Sequence, residues 1–280
     1  MRHTGEGHAE EIARGERFAF GENWRRFLDT LDDDRIAAAE ESLRSMLAVS
    51  DLANRSFLDV GCGSGLFSLA ARRLGASVRS FDFDPQSVAC ALALRERYFP
   101  GDASWRIEEG SALDEPYLET LGQYDVVYSW GVLHHTGRMW QAIDNVARRV
   151  ATGGTLFIAL YNDQGWASRA WTALKRAYNR APAPARPLLV LGVGAYFEAR
   201  SLAGRVLRRE PILASKRWRN RPVRGMSPWH DLVDWVGGYP FEVARPEQVL
   251  DFMRARGFNL VRMTTCAGGL GCNQFVLSRQ

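Results

Sequence analysis

The sequence has few cysteines and no long apolar run, and each shortage excludes a class of protein. Only four of its 280 residues are cysteine, and no two of them form a C-x-x-C pair. This usage does not resemble a disulfide framework and favours a reducing compartment. The longest apolar run, from Pro187 to Phe197, is too short to span a bilayer. Because Met1 to Glu11 also lacks the apolar region of a signal peptide, we expect a soluble, cytoplasmic protein.

Histidines are also sparse, and their spacing does not match the common metal sites. The five histidines are His3, His8, His134, His135 and His230. None of them stands in a ligand spacing with cysteines or carboxylates, so no metal site is predicted. A G-x-S-x-G nucleophile elbow is absent as well.

Positive charge is concentrated in one segment of the chain. The net charge is +4, but residues 165–224 carry fourteen Lys and Arg against Glu198 and Glu210. This segment therefore has an excess of twelve positive charges, and the rest of the chain has an excess of eight negative charges. Such asymmetry indicates an anionic partner, which is an acidic substrate, a membrane surface or nucleic acid. An arginine-rich solvated surface with no specific partner is the alternative.

The stretch FLDVGCGSGLFSL, from Phe57 to Leu69, predicts a strand, a tight glycine turn and a helix. Three glycines at 61, 63 and 65 suit a backbone that lies close against a ligand. The following helix directs its unpaired N–H groups at whatever lies over the turn. The spacing is G-x-G-x-G, because Leu66 occupies the position of the third glycine in the dinucleotide motif G-x-G-x-x-G.

Strand and helix patterns alternate regularly after this turn. The further predicted strands are SVRSFDF (77–83), ASWRIEEG (103–110), YDVVYSW (124–130) and GTLFIALY (154–161). The alternation stops near Asp163 and resumes at Pro246, with a helix and two more strands. We therefore predict an α/β fold with a doubly wound, Rossmann-like, mostly parallel sheet in residues 50–163 and 246–280. Residues 164–245 are interpreted as a helical insertion that caps the substrate.

Residues 1–49 are predicted to form helices that dock on the sheet domain. No strong periodicity is found before Glu16, so this end is expected to be loosely held. Asp32 or Asp33 is predicted to cap a helix that runs through Met46. The apolar face of that helix consists of Ile36, Ala39, Leu43 and Leu47. The aromatic residues that precede it are Phe18, Phe20, Trp24 and Phe27, which we interpret first as packing.

Asp82 is the most informative single residue. It ends the second predicted strand, 21 residues after Gly61, where an acid beside a nucleotide-binding turn accepts hydrogen bonds from ribose hydroxyls. A dehydrogenase would carry a similar acid. Small and polar residues after the third strand (110–112) and the WGVLHH run after the fourth (130–135) favour a different cofactor.

With these motifs the chain resembles the class I S-adenosylmethionine-dependent methyltransferases, especially those similar to the ubiquinone-biosynthesis enzymes. The matching motifs are LDVGCGSG, SFDFDP, EEGSALD, YDVVYSWGVLHHTG and ATGGTLFIALYN. The resemblance covers residues 50–163 and, more weakly, 246–280. The insertion resembles that of a bacterial subfamily found among small-molecule and cell-envelope methyltransferases. S-adenosylmethionine is the cofactor that this resemblance implies.

The resemblance also implies which residues hold the cofactor. The candidates are Asp59, Gly61, Cys62, Gly63, Gly65, Asp82, Phe83, Ser111, Ala112, Trp130 and Trp24. Asp59 and the glycines would surround the methionine part, Asp82 would hold the ribose, and Phe83 would pack on the adenine. Ser111 replaces an acid that often binds the adenine amino group, so that contact is assigned to the backbone or to Asp114.

Methyl transfer needs a nucleophile held in line with the sulfonium and, for a hydroxyl or ammonium, a base that removes its proton. His134 and His135 follow the fourth strand and are the leading base candidates, with a structural role expected for one of them. His230, next to Asp231 in the insertion, is the second candidate. Tyr161 ends the fifth strand and is expected either to position the substrate or to form a pocket wall.

The predicted function is therefore methylation of a small polar or anionic molecule, at oxygen. RNA methylation that uses the basic insertion is an alternative, although no recognised RNA-binding module is present and a nucleic-acid partner is not favoured. A protein that binds the cofactor without catalysis is another. A substrate cap is favoured for the basic insertion, and peripheral contact with an anionic membrane stays open.

Overall fold

A seven-stranded sheet organises the molecule, for which a computed structural model describes residues 5–209 and 228–280. The strands are β1 Ser56–Val60, β2 Ser77–Asp82, β3 Trp105–Glu109, β4 Tyr124–Trp130, β5 Val150–Tyr161, β6 Phe258–Thr264 and β7 Cys272–Arg279. Their order across the sheet is β3-β2-β1-β4-β5-β7-β6. Strands β1 to β5 are parallel, and β7 is antiparallel to both of its neighbours. The predicted doubly wound, mostly parallel sheet is confirmed.

Helices cover both faces of this sheet. The helices are α1 Gly5–Ala13, α2 Gly21–Asp29, α3 Asp33–Leu47, α4 Leu66–Arg73, α5 Pro85–Tyr98, α6 Glu115–Leu121, α7 Met139–Ala147, α8 Trp166–Arg180, α9 Arg186–Arg208, α10 Pro228–Gly237 and α11 Pro246–Arg254. Two short 3₁₀ helices are Leu133–His135 and Ala183–Ala185.

The side-chain alternation of β1 shows how the core is divided into two layers. Phe57 packs in a cluster with Leu43 of α3 and Leu69 of α4 on one face. The next residue, Leu58, packs in a cluster with Ile143 of α7 on the other face. Both residues of β1 are fully buried. A strand covered on both faces is expected to be mostly apolar, as this one is except for Ser56 at its start and Asp59.

Two sequence predictions need adjustment. Strand β5 begins at Val150 instead of Gly154, and its register against β4 shifts between Tyr124 and Val126 before regular pairing resumes at Thr155. The segment Gly5–Ala13 is more regular than predicted, because it forms the helix α1, in which His8 is buried. The His8 ring packs edge-on against Phe83, with ring centroids 5.3 Å apart. Tertiary contacts of this kind hold a short helix that its own sequence pattern does not signal.

Asp32 caps α3 as predicted. Its side chain accepts a hydrogen bond from the backbone N–H of Arg35 at 3.0 Å. Ile36, Ala39 and Leu43 lie on the buried face of the helix. The helix therefore begins where the sequence signals it and presents its apolar stripe to the sheet.

Helices α8, α9 and α10 form what we call the cap. The cap leaves the sheet after β5 and the chain returns to it at α11, so that it lies at the carboxyl ends of the strands. It has an apolar cluster of its own, which includes Tyr178, Val193 and Val236. Phe18, from the segment before α2, packs against this cluster, and its N–H donates to the carbonyl of Tyr239 at 2.9 Å. Among the described residues, no helix is long and apolar enough to cross a membrane.

Candidate active site

One cavity of about 890 Å³ lies between the carboxyl ends of the strands, the N-terminal segment and the cap. Its volume is in the range of pockets that hold small ligands. The sequence-predicted residues that line it are Trp24, Asp59, Gly61, Cys62, Gly63, Asp82, Phe83, Ser111, Ala112, Trp130, His135 and Tyr161. Gly65 and His134 are not among the lining residues.

The glycine turn after β1 brings the backbone close to the cavity. Gly61, Gly63 and Gly65 all have positive φ, between 54° and 81°. A Cβ on Gly63 would lie 3.0 Å from the ring of Trp24, which covers the turn. A Cβ on Gly65 would lie 2.9 Å from the Cα of Ala91 in α5. Gly65 therefore serves the packing of α4 against α5, whereas the two other glycines line the cavity.

Asp82 ends β2 and turns its carboxylate toward the glycine turn. Its Oδ2 accepts the N–H of Gly63 at 2.8 Å, and its Oδ1 accepts the N–H of Asp84 at 2.9 Å. Burial raises the pKa of Asp82 to about 6, against the effect of these hydrogen bonds. A carboxylate offers about four lone-pair sites, so both oxygens can accept further hydrogen bonds from a ligand in the cavity.

Asp59 is a second buried carboxylate at the same end of the cavity. The hydroxyl of Ser68 on α4 donates to its Oδ2. Burial raises the pKa of Asp59 to about 7, and the nearby charge of Asp82 adds to the shift. Cys62 lies in the glycine turn after β1, and burial raises the pKa of its thiol well above the ordinary value. Two carboxylates in one apolar setting favour a ligand that carries positive charge there.

Phe83 is held by the N-terminal segment. The guanidinium of Arg17 lies 4.9 Å from the Phe83 ring centroid, and His8 packs on the ring edge. Burial lowers the pKa of His8, while Asp84 acts in the opposite direction. His8 and Arg17 both line the cavity, although neither was predicted as a site residue. The one feature of the sequence that points to this wall of the cavity is the group of aromatic residues in and before α2.

Ser111 and Ala112 follow β3 and line the cavity with their neighbours. The N–H of Leu113 donates to Ser111 Oγ at 3.2 Å, which holds this loop. Asp114 instead caps α6, where its carboxylate accepts the N–H of Tyr117 at 3.1 Å, and it is not among the lining residues. Of the two alternatives for contact with an adenine amino group, the backbone at 110–113 is the one that this arrangement favours.

Of the two histidines that follow β4, His135 is the one that lines the cavity. Its Nδ1 lies 2.6 Å from the carbonyl oxygen of Pro240. Because a carbonyl only accepts, the neutral ring carries its proton on Nδ1 and keeps Nε2 as a proton acceptor. Burial lowers the pKa of His135 to about 3, and the charges of Lys175 and Arg17 contribute. His135 is therefore neutral at physiological pH.

His134 is fully buried behind the cavity wall. Its Nδ1 accepts the backbone N–H of Tyr161 at 3.3 Å, and the two rings lie 4.0 Å apart. Tyr161 itself lines the cavity at the end of β5. These contacts give His134 a structural position under Tyr161, in line with the expectation that one of the two histidines is structural.

The cap closes the cavity with aromatic side chains that sequence reasoning did not assign. Trp235 lines the cavity, and its ring lies edge-on to Tyr161 at 5.6 Å. Behind it, the fully buried Lys175 of α8 donates to the Trp235 carbonyl and lies 4.4 Å from its ring centroid. Burial lowers the pKa of Lys175 to about 7, and Asp234 acts in the opposite direction. His230 lies on α10, but its side chain is outside the described residues.

A contact with β7 that the sequence did not predict holds the side chain of Trp130. The indole N–H of Trp130 donates to Gln274 Oε1 at 3.2 Å, and both side chains line the cavity. The two residues are 144 positions apart in the sequence. Only the antiparallel strand next to β5 brings them together, so no local pattern could have indicated the pair.

The two ends of the cavity have different chemistry. One end, at β1 and β2, holds the glycine turn with Asp59 and Asp82 and suits a ribose and a positive charge. The other end, under the cap, holds His135, Tyr161 and Trp235 and suits an acceptor with a hydroxyl. In the described residues, no three His, Cys, Asp or Glu side chains are arranged to hold a metal ion.

Parts of this chain are similar to known methyltransferases. A protein-family profile described as “Methyltransferase domain” matches residues 58–156. The ubiquinone biosynthesis O-methyltransferase of Xanthomonas oryzae pv. oryzae is 33% identical over 112 residues, which are 40% of this chain and 45% of that protein. The tRNA U34 carboxymethyltransferase of Methylococcus capsulatus is 32% identical over 123 residues, which are 44% of this chain and 37% of that protein. The chain thus spans less than half the length of these curated relatives.

Solved structures share the whole fold. The magnesium protoporphyrin IX methyltransferase of Synechocystis PCC 6803 with bound SAH matches with a TM-score of 0.53 and 15% identity, covering 92% of this chain and 94% of that one. PKMT2 from Rickettsia typhi in complex with AdoHcy matches with a TM-score of 0.54 and 12% identity, covering 82% of this chain and 49% of that one. At such low identity the likeness concerns the fold alone.

Proposed function

We propose that this chain, a class I S-adenosylmethionine-dependent methyltransferase by its domain and fold, methylates an oxygen of a small polar or anionic molecule. The observation that carries the proposal is the single cavity lined at one end by Asp59 and Asp82 and at the other by His135 and Tyr161. Donor and acceptor sites in one enclosed space are what a direct transfer requires.

Asp82 and the glycine turn would hold the cofactor. The Asp82 carboxylate would accept hydrogen bonds from two ribose hydroxyls, Phe83 would pack on the base, and Asp59 would favour the positively charged part. When bound, S-adenosylmethionine supplies an activated methyl group. The chain contributes position, exclusion of water by the cap, and a path for one proton.

His135 is the base in this proposal. Its Nε2 accepts the proton of the acceptor hydroxyl, while Pro240 keeps the Nδ1 proton in place. The ring is neutral at physiological pH, so Nε2 keeps a lone pair for this proton, but its lowered pKa of about 3 makes it a weak base, and the hydroxyl proton must leave as the methyl group is transferred. His134 positions Tyr161, which forms a wall of the acceptor end.

RNA methylation and a non-catalytic scaffold are the competing functions. The match to a tRNA-modifying relative and the basic segment favour testing RNA directly. The purified chain is incubated with methyl-labelled S-adenosylmethionine and with a panel of hydroxylated and carboxylated small molecules or with total tRNA. Label in small molecules alone supports the proposal, label in tRNA overturns its substrate class, and binding of S-adenosylhomocysteine without any turnover favours the scaffold.

A further inference from the structure

Helix α9 has two faces of opposite character. Val190 and Val193 are buried in the cap cluster, and Phe197 on the same side lines the cavity. The opposite side is exposed, and its large side chains are apolar. They are Leu188, Leu191, Tyr196, Leu202, Val206 and Leu207, which are 44–85% exposed.

These side chains form a continuous surface, which we call the outer face of α9. At about 100° per residue, the exposed uncharged residues from 188 to 207 fall within an arc of about 160°. Only alanine and glycine lie between the large apolar residues of that arc. The face covers residues 188–207 of the helix and therefore runs for about 30 Å.

The concentration of exposed apolar side chains on this helix is unusual for the molecule. Among the described residues, twelve large hydrophobic side chains are exposed, and six of them are on α9. By contrast, the exposed face of α3 carries Asp33, Asp34 and Glu41. Single exposed hydrophobic residues need no explanation, but a contiguous apolar face marks an interaction surface.

The charges along this face indicate which partner it fits. The charged residues of α9 are Arg186, Glu198, Arg200, Arg205 and Arg208, and all of them lie outside the apolar arc. Arg200 borders one edge of the arc and Glu198 and Arg205 border the other, so the helix carries four arginines against one glutamate. An apolar stripe on a helix of net positive charge, in a segment with an excess of twelve positive charges, is typical of a helix that lies in the surface of an anionic membrane.

We propose that the outer face of α9 docks this protein on an anionic lipid surface. A second copy of the chain would bring two positively charged helices together, and RNA would leave the apolar stripe without a partner. An anionic bilayer would bury the apolar stripe and also attract the positive charge of the helix. The helix would lie parallel to the membrane plane with its inner face still closing the cavity.

Vesicle binding tests this proposal. The full chain is sedimented with vesicles of phosphatidylcholine alone or of phosphatidylglycerol and phosphatidylcholine at low salt. We expect binding to the anionic vesicles, a loss over a few-fold rise in salt, and about tenfold weaker binding for Leu191→Glu/Val206→Glu. Arg200→Gln/Arg205→Gln should weaken binding to anionic vesicles only.

Val261→Glu is the matched control, because Val261 is 59% exposed on β6, at the far edge of the sheet. It should bind vesicles like the unaltered chain. Circular dichroism and affinity for S-adenosylhomocysteine check that each variant is folded, and neither readout depends on methyl transfer. The proposal is overturned by absence of vesicle binding at low salt, by unchanged binding of Leu191→Glu/Val206→Glu, or by a chain dimer that this double variant dissociates. Binding to RNA in place of vesicles overturns it as well.

Discussion

The two ends of the cavity are built by different means. At the cofactor end, Asp82 is held by residues no more than 19 positions away, since it accepts hydrogen bonds from the backbone N–H groups of Gly63 and Asp84. At the acceptor end, residues far apart in the sequence hold one another: His135 Nδ1 donates to the carbonyl of Pro240, 105 residues away, and the ring of Tyr161 packs edge-on against that of Trp235. A local turn supports one constant ligand geometry, whereas the packing of the cap on the strand ends can change without altering the sheet. We therefore expect substitutions at the cofactor end to change the affinity for the cofactor, and substitutions at the acceptor end to change kcat or the KM for the acceptor.

The largest effect is expected at the acceptor end. His135→Ala should lower kcat by a factor on the order of 10² to 10⁴, because the acceptor hydroxyl then loses its base. Affinity for S-adenosylhomocysteine, measured by calorimetry, should change little. His230→Ala is the control and should keep most of its turnover. If the two variants exchange these behaviours, the base is His230 and the assignment to His135 is wrong.

At the cofactor end, Asp82→Ala should weaken S-adenosylhomocysteine binding by about tenfold or more. A hydrogen bond to a charged group contributes roughly 1.5 to 3 kcal/mol, and the ribose offers two hydroxyls. Asp114→Ala is the matched control, because its carboxylate caps α6 outside the cavity lining. Calorimetry should show unchanged affinity for that control. Unchanged affinity in Asp82→Ala would contradict the ribose assignment.

The pH dependence of cofactor binding also distinguishes the two ends of the cavity. Burial raises the pKa of Asp82 to about 6, so the carboxylate is ionised at pH 7.5 and largely protonated at pH 5. Affinity for S-adenosylhomocysteine should therefore fall about tenfold as the pH is lowered over this range. Asp59, whose pKa burial raises to about 7, loses its charge over the same range and adds to the fall, whereas His135 has a lowered pKa of about 3 and stays neutral throughout. Asp82→Asn should bind weakly with a flatter profile, and an unaltered slope in this variant would assign the titration to another group.

The sequence predicted the cofactor end much better than the acceptor end. The glycine turn and Asp82 were predictable because they lie within 22 positions of one another and follow from strand, turn and helix patterns, whereas Phe83 was predicted from the family resemblance. The strand alternation likewise predicted the sheet. His135 depends on Pro240, which is 105 residues away, and Trp130 depends on Gln274. Contacts over such separations leave no local periodicity to detect.

The smallest effect is expected for a wall residue of the cap. Trp235→Phe keeps an aromatic ring but removes part of the surface that faces the acceptor. A loss of this size in an apolar pocket is worth about 1 to 3 kcal/mol, so KM for the acceptor should rise about tenfold. The S-adenosylhomocysteine affinity should not change. A variant that weakened cofactor binding instead would show that the two ends are not separate.

A crystal structure of the chain with bound S-adenosylhomocysteine tests whether the cavity has a cofactor end and an acceptor end. We expect the ribose hydroxyls to donate hydrogen bonds to Asp82 and the sulfur to face the part of the cavity lined by His135 and Tyr161. A ribose held elsewhere, or a sulfur turned away from His135, would contradict the division of this cavity into a cofactor end and an acceptor end.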